Sequence, residues 1–201
     1  MRDCEKWYGQ KIRVLSSDKY DDIWDVFEKT KYLVGVRGAR CTTELKKVLR
    51  NAFQKVDDIQ VFGFDFTEVK RYDRFKSNNP EVIVKAPLIE RGISKAECFD
   101  RLTMSGIDLP VMYRLGYKNN NCIGCVKGQA GYWNKIRKDF PEVFERMAKV
   151  ERQIGVAINK SYAGDGKRKK VFLDELPVEM GRYESEPSIG CGVLCDIGLK
   201  L

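Results

Sequence analysis

The strongest periodic pattern in the chain is an amphipathic stripe that begins near residue 140. Apolar side chains recur there at helical spacing: Phe140, Val143, Phe144, Met147, Val150 and Ile154. Apolar residues three or four positions apart share one face of an α-helix, so the stripe predicts a helix that packs on the core. Asp139 and Pro141 are a suitable N-cap and first residue for this helix.

Two further helices are predicted from local signals. Residues 18–33 carry apolar side chains at a helical spacing. Ser94 is followed three positions later by Glu97, which is the pattern of a capping box. This pattern predicts a helix that ends near Met104.

Short apolar runs between the helices predict strands. Lys11–Leu15 alternates between polar and apolar residues, Ile59–Asp65 is a compact apolar run, and Val82–Pro87 is a third run stopped by proline. Strands that alternate with helices are typical of an open parallel sheet. We therefore expect an α/β fold with an open, mostly parallel sheet flanked by helices, of which Ile59–Asp65 is a buried strand. The C-terminal part is expected to be mainly helical.

The composition changes after residue 160, where glycine, lysine and glutamate become common. We place a domain at residues 1–160 and a C-terminal tail at residues 161–201. The basic run Lys167–Lys170 is expected to be a solvated loop. The tail contains Cys191 and Cys195, and we expect it to pack back on the domain.

The protein has a net charge of +8 and contains no histidine. The positive charge indicates either a solvated surface or an anionic partner, such as a nucleotide or a nucleic acid. The absence of histidine excludes serine–histidine and cysteine–histidine catalysis and every metal site that contains histidine. No apolar run is long enough to span a membrane, and the charged start of the chain is unlike a signal peptide. We expect a cytoplasmic protein that does not bind a membrane.

Seven cysteines are the main candidates for chemistry. Cys122 and Cys125 form a Cys-x-x-Cys pair on a glycine turn, which occurs in metal sites, in redox pairs and by chance. An Fe–S cluster usually takes four thiolates, and tetrahedral zinc could use the same four. We predict an Fe–S cluster, with zinc as the alternative. The predicted ligands are Cys41, Cys122, Cys125 and either Cys195 or Cys191.

A second group of polar side chains follows the apolar run Ile59–Asp65. Carboxylates there could contact a ribose or an amine, and a guanidinium could contact a phosphate. Basic residues around Cys41 could hold phosphate or sulfate. The predicted nucleotide-binding residues are Arg37, Arg40, Lys46, Asp65, Glu68 and Arg71. A solvated, charged helix surface is the alternative explanation for the same residues.

Several motifs occur in an order that resembles a known enzyme family. They are Arg40-Cys41-x-x-Glu44, Gly63-Phe64-Asp65-x-x-Glu68-x-x-Arg71, Pro87-Leu88 and Gly116-Tyr117-x-x-x-x-Cys122-x-x-Cys125. Their order resembles the phosphoadenosine phosphosulfate (PAPS) reductase family, and most closely its phage-borne branch, within the adenine nucleotide α-hydrolase-like superfamily. The resemblance covers roughly residues 1–155. It implies a [4Fe–4S] cluster, an adenine nucleotide as ligand and, for a phage-encoded member, the host cytoplasm as location.

The chain departs from the family pattern at three places. It contains no Ser-Gly-Gly-x-Asp-Ser phosphate loop, so the resemblance implies a truncated sheet that lacks the family's first strand. Thr42 follows Cys41 where cluster-bearing relatives have a second cysteine, so a tail cysteine would have to replace that ligand. Gly190–Leu194 resembles the C-terminal motif of family reductases without its acid or its histidine. Cys191 is the corresponding candidate nucleophile.

The resemblance and its gaps together predict a PAPS-reductase-like protein with a cysteine-ligated centre and a basic, nucleotide-sized cleft, but without full reductase activity. An active enzyme would be sulfonucleotide reductase-like or ATP-pyrophosphatase-like and would need a partner for its phosphate loop. The alternative is a non-catalytic protein that inhibits or decoys a host protein or a nucleic-acid complex. A missing strand leaves a sheet edge and apolar surface uncovered, so we expect a homo-oligomer or a protein partner that covers the truncated sheet.

Overall fold

The chain forms two compact units. A computed structural model describes residues 2–35, 38–162 and 168–190. Within these ranges, unit 1 comprises residues 2–15 and 50–116, and unit 2 comprises residues 16–35, 38–49, 117–162 and 168–190. Arg37, Cys191 and Cys195 lie outside the described residues.

The described helices are, in chain order, α1 (Arg2–Tyr8), α2 (Ile23–Thr30), α3 (Arg40–Thr42), α4 (Val48–Phe53), α5 (Val69–Asn78), α6 (Pro87–Glu90), α7 (Lys95–Met104), α8 (Val111–Arg114), α9 (Ala130–Asp139) and α10 (Pro141–Ile154). A π-helical turn, Thr43–Lys47, joins α3 to α4, and 3-10 turns lie at Phe66–Glu68, Leu173–Glu175 and Tyr183–Ser185. The strands are β1 (Val34–Gly35), β2 (Gly38–Ala39), β3 (Ile59–Val61), β4 (Ile83–Lys85), β5 (Asn159–Tyr162) and β6 (Arg168–Val171).

The predicted α/β fold class is wrong. About half of the described chain is helical, and its strands form only two-stranded pairs: β1–β2 and β5–β6 are antiparallel, and β3–β4 is parallel. No open parallel sheet flanked by helices forms within the described ranges. The alternating run Lys11–Leu15 forms no strand. Alternation selects one face of an extended segment, but a sheet also needs a pairing partner, and that partner is not encoded locally.

Unit 1 is built around the β3–α5–β4 segment and has a small core. Its buried apolar side chains are Phe64, Phe75, Ala86, Ile93 and Met112. Ile59 pairs with Ile83 across the parallel strands, but both side chains are exposed. The prediction that Ile59–Asp65 is a buried strand is therefore wrong for Ile59 and Val61, whose side chains are exposed.

The capping box of α7 is confirmed. The Ser94 hydroxyl accepts a hydrogen bond from the Glu97 N–H at 3.3 Å, and the Glu97 carboxylate accepts one from the Ser94 N–H at 2.7 Å. The pattern forms because it satisfies two main-chain donors at the start of a helix without any distant contact.

Unit 2 has the larger core, which α9 and α10 dominate. Trp133, Ile136 and Met147 are fully buried there, and Phe144 and Val150 are nearly so. The apolar stripe of α10 therefore packs on the core as predicted. Its N-cap differs from the prediction, because Phe140 occupies the cap position and Asp139 ends α9.

The β5–β6 hairpin follows α10 and overturns the prediction of a loop at Lys167–Lys170. β6 begins at Arg168, and Lys170 lies opposite Lys160 in the antiparallel register. Glu151 of α10 holds the base of the hairpin by accepting hydrogen bonds from the N–H groups of Ile158 and Leu173. None of the helices in the described part of the chain is long and apolar enough to cross a membrane.

Candidate functional site

The Cys-x-x-Cys pair lies on a tight loop between α8 and α9. Gly124 lies between the two cysteines with a φ of +75°, a left-handed conformation that glycine adopts without strain. A Cβ at this position would lie 2.7 Å from Cγ1 of Val143 and 3.4 Å from the indole ring of Trp133. Glycine therefore fixes the path of the chain between Cys122, which is exposed, and Cys125, which is buried.

The phenol of Tyr132, on α9, binds the main chain of both cysteines. Its oxygen accepts a hydrogen bond from the Cys125 N–H at 2.9 Å, and its O–H donates to the Cys122 carbonyl at 3.3 Å. Burial raises the pKa of the Tyr132 hydroxyl, so the phenol stays protonated and remains a donor. A Cβ at Gly128 would overlap the Tyr132 ring. The loop is thus held in place by the helix that follows it.

A C-terminal strap, residues 173–190, runs along α9 toward this loop. Near the end of the helix, Arg137 donates to two strap carbonyls at 3.2 and 2.7 Å. One turn earlier, the side-chain amide of Asn134 donates to the carbonyls of Pro177 and Met180, both at 2.9 Å. These bonds engage main-chain oxygens, so they fix the path of the strap rather than its side chains.

Glu186 of the strap caps the beginning of α9. Its carboxylate accepts hydrogen bonds from the N–H groups of Gly131 at 2.5 Å and Tyr132 at 2.9 Å. The residue at the N-cap position, Gln129, makes no side-chain cap. The first N–H groups of a helix lack internal partners and favour negative charge, so Glu186 both satisfies the helix and anchors the strap.

The last described residues of the strap contact the cysteine loop itself. The side-chain amide of Asn121 donates to the Ile189 carbonyl at 3.0 Å, and Nζ of Lys127 donates to the Gly190 carbonyl at 3.0 Å. Asn121 and Lys127 flank the cysteine pair on its two sides. The main chain that leads into Cys191 therefore lies beside the Cys-x-x-Cys loop.

The side chains that hold the strap were not predicted from the sequence. They are Lys118, Asn119, Asn121, Lys127, Asn134, Arg137 and Glu186. Most of them bond to main-chain atoms of a distant segment, which leaves no periodic pattern. The run of three asparagines before Cys122 is the one sequence signal that could have drawn attention to them.

Among the described residues, the predicted metal ligands Cys41, Cys122 and Cys125 do not form one group. Cys41 lies on α3 and is half-buried, while Cys122 and Cys125 lie on the loop described above. Among the residues that the structure describes, no three cysteine or carboxylate side chains come together in a way that could hold a metal ion. The loop supplies two thiols, so a complete site would need ligands from the tail, where Cys191 and Cys195 lie outside the described ranges.

Three of the predicted nucleotide-binding residues form a local network in unit 1. The Asp65 carboxylate caps the turn after β3 by accepting the Thr67 N–H at 2.7 Å. Arg71 donates to Glu68 at 2.5 Å, and its guanidinium lies 5.5 Å from the centre of the Phe64 ring. These contacts are those of a capped, charged helix start, and each of the three polar groups has a neighbouring partner.

The predicted phosphate-binding residues lie in unit 2, apart from Arg37, which falls outside the described ranges. Arg40 pairs with Glu44 at 2.9 Å, one turn along the helix. Lys46 lies in the π-helical turn Thr43–Lys47, a type of turn that is frequent at functional sites. Arg40 and Lys46 thus belong to one helical segment, and Asp65, Glu68 and Arg71 belong to the other unit.

No family model matches the chain, and no solved structure matches it. A curated protein with detectable similarity is the uncharacterized protein MJ0066 of Methanocaldococcus jannaschii, with 24% identity over 185 residues. The match covers 85% of this chain and 35% of the relative, so the chain spans about a third of that protein's length. This identity shows no family, and the resemblance to PAPS reductases stays a prediction.

Proposed function

We propose that the Cys122–Cys125 loop holds a metal centre that tail cysteines complete. The observation that carries the proposal is the hydrogen bond from Lys127 to the Gly190 carbonyl, because it places the chain beside the loop one residue before Cys191. Consecutive Cα atoms are about 3.8 Å apart, and an extended chain covers at most about 18 Å over the five residues from Gly190 to Cys195. Both tail thiols are therefore within reach of the loop.

The donor set suits an Fe–S cluster or, as the alternative, zinc, and the resemblance to PAPS reductases favours the cluster. Because the chain has no histidine, four thiolates are the natural ligands, and both [4Fe–4S] clusters and structural zinc accept four. One ligand set is Cys122, Cys125, Cys191 and Cys195; the other uses Cys41 in place of one tail cysteine. Either centre would cross-link the strap to the loop, and a cluster would also supply electron transfer.

Anaerobic purification followed by iron, sulfide and zinc assays tests this proposal. We expect either a coloured protein with about four iron atoms and four sulfides per chain or a colourless protein with about one zinc. Cys122→Ser and Cys125→Ser should each remove most of the metal, and at least one of Cys191→Ser and Cys195→Ser should do the same. Cys41→Ser distinguishes the two ligand sets, since it lowers metal content only if Cys41 is a ligand.

Cys4→Ser and Cys98→Ser are matched controls, because both cysteines are half-buried on helices of unit 1. Both variants should retain the full metal content. Protein that contains neither iron nor zinc after anaerobic purification would refute the proposal. Equal metal loss from the control variants would also refute it, because the metal would then follow the general thiol content.

The resemblance to PAPS reductases supports a nucleotide-linked role for the same protein. We propose ATP or PAPS as the ligand of a sulfonucleotide reductase-like or ATP-pyrophosphatase-like enzyme that takes its phosphate loop from a partner. The support is the order of the motifs, in particular Asp65, Glu68 and Arg71. A bound nucleotide should raise the melting temperature, and Arg71→Gln should reduce that rise. Absence of any rise with either nucleotide contradicts this role and leaves the metal centre unaffected.

A second candidate function, a non-catalytic binding protein, is favoured by the apolar surface of unit 1. Ile59, Val61 and Ile83 lie on β3 and β4 and are 53, 65 and 50% exposed. Exposed apolar patches mark protein–protein contacts, and we propose that a second copy of the chain or a host protein covers this one.

Size-exclusion chromatography with light scattering, together with a pull-down from host lysate, tests this second function. Ile59→Thr combined with Ile83→Thr should weaken the complex. Val178→Thr is the control, since Val178 is 72% exposed in unit 2. A monomer that captures no partner would contradict the proposal.

A further inference from the structure

The β5–β6 hairpin concentrates the positive charge of the protein. From Asn159 to Val171 the sequence contains five lysine or arginine residues and one aspartate, so half of the net charge of +8 falls in this short segment. The exposed lysines among its described side chains are Lys160, Lys169 and Lys170.

Strand pairing places like charges opposite each other on this hairpin. Lys160 is the direct partner of Lys170, and residues directly opposite on antiparallel strands have Cβ atoms about 5 Å apart, where like charges are destabilising. Within the described residues, no carboxylate pairs with Lys160, Lys169 or Lys170; Nζ of Lys170 lies 3.4 Å from the neutral Gly155 carbonyl. A polyanion bound across the ribbon would relieve this repulsion.

The base of the hairpin is anchored, so its lysines are presented on a fixed ribbon. Asn159 and Val171, at the base, are 5% and 8% exposed. Glu151 of α10 accepts the N–H groups on both sides of the hairpin, from Ile158 at 2.5 Å and Leu173 at 2.6 Å. One part of the ribbon is therefore buried in unit 2, and the lysines face solvent.

We propose that the paired strands β5 and β6, through Lys160, Lys169 and Lys170, bind the phosphate backbone of nucleic acid. A two-stranded ribbon fits the major groove of B-DNA, and lysine ammonium groups contact phosphates without reading sequence. A membrane surface would favour apolar side chains beside the lysines, and the described side chains of this hairpin include no large apolar group that is exposed. The proposal is independent of the metal centre, because it rests on the hairpin alone.

Fluorescence anisotropy with a labelled DNA duplex of about 20 base pairs tests the proposal across a salt titration. The variant is Lys160→Gln combined with Lys170→Gln, which removes two charges and keeps two long polar side chains. Loss of two phosphate contacts should make the plot of the logarithm of the association constant against the logarithm of the salt concentration shallower by about 1.8. Binding should weaken up to about 60-fold at 0.1 M salt. Lys55→Gln combined with Lys70→Gln is the control, because both lysines are exposed in unit 1.

The control should bind DNA with the slope and affinity of the unaltered protein, although its net charge falls equally. Equal weakening of both variants would overturn the proposal, since binding would then follow net charge. Failure of the unaltered protein to bind DNA at low salt would also overturn it, as would tighter binding to phosphatidylserine vesicles than to DNA. Circular dichroism and melting curves for both variants establish that the comparison is made between folded proteins.

Discussion

Replacement of Glu151 by glutamine should abolish most of the pH dependence of the stability of unit 2. Glu151 is completely buried, and its two oxygens accept the Ile158 and Leu173 N–H groups. Burial raises the pKa of this carboxyl from its ordinary 4.5 to about 7, and the two N–H groups oppose that rise. The nearby Asp174 carboxylate raises the pKa further, and the Arg152 guanidinium lowers it. Glu151 is therefore a neutral acid at pH 5 and largely ionised at pH 8.

The size and sign of the effect follow from proton linkage. A carboxyl whose pKa is higher in the folded state stabilises that state fully below its unfolded pKa, and this stabilisation is lost as the pH rises through the folded pKa. For a rise from 4.5 to about 7, the loss is about 3 kcal/mol, at about 1.4 kcal/mol for each pH unit between the two values. The free energy of unfolding should therefore fall between pH 5 and pH 8.

The glutamine variant is neutral throughout this range. Its single acceptor oxygen leaves one of the two N–H groups unsatisfied, which costs about 1–3 kcal/mol at pH 5. At pH 8 the unaltered protein has lost a comparable amount, so the difference between the two proteins should close or change sign. Because the chain has no histidine, it lacks the one side-chain type whose ordinary pKa lies between pH 5 and pH 7. Glu151, with its raised pKa, should therefore dominate the pH dependence in this range.

Urea unfolding followed by tryptophan fluorescence measures this difference. The background variant Trp7→Phe removes the tryptophan of unit 1, so that Trp24 and Trp133 report on unit 2. Glu145→Gln is the matched control, because Glu145 is exposed on the same helix as Glu151, and it should keep the pH dependence of the unaltered protein. A stability that stays constant or rises from pH 5 to pH 7, or an equal pH slope in Glu151→Gln, would refute the reasoning.

Three further predictions concern the cysteine loop and one helix cap. Gly124→Ala should destabilise unit 2 by about 1–3 kcal/mol and lower the metal content. The reason is that the φ of +75° is strained for alanine, whose Cβ would also lie 2.7 Å from Val143. An unchanged metal content and melting temperature would contradict this prediction. Tyr132→Phe removes the acceptor of the Cys125 N–H and should cost about 1–3 kcal/mol in urea unfolding, and a smaller loss would mean that water replaces the phenol. Ser94→Ala removes the cap of α7 and should lower the free energy of unfolding by about 1 kcal/mol. Thermal unfolding followed by circular dichroism measures this loss, and an unchanged stability would count against a stabilising capping box.

Local signals in the sequence predicted local structure well. The capping box at Ser94 and the apolar stripe of α10 depend on residues within a few positions of one another, so the sequence contains all of the interaction that forms them. The N-cap of α10 was predicted wrongly because contacts outside the local capping pattern engage the predicted residue. Asp139 is a good N-cap residue, but the Tyr117 hydroxyl and the Lys135 ammonium both bind its carboxylate at 2.9 Å.

The sheet could not be predicted in this way, because strand pairing is a property of two distant segments. β3 and β4 pair in parallel, as their helical neighbours suggested. Ile12 and Val14 in the alternating run Lys11–Leu15 are instead exposed on a segment without strand pairing. The error in fold class arose from treating separate strand signals as members of one sheet.

In the candidate site, too, the local features were predicted from the sequence and the distant contacts were not. The glycine turn at Gly124 was recognisable from the Cys-x-x-Cys spacing. The strap was not, since its contacts join residues such as Lys118 and Tyr183, which are 65 positions apart. Asn121 and Lys127 bind main-chain carbonyls of the strap, and every residue has such a carbonyl, so the strap needs no particular side chains at those positions. Side-chain identity marks the cysteines in the sequence, whereas the contacts of the polar groups that hold the strap beside the cysteine loop exist only in the folded chain.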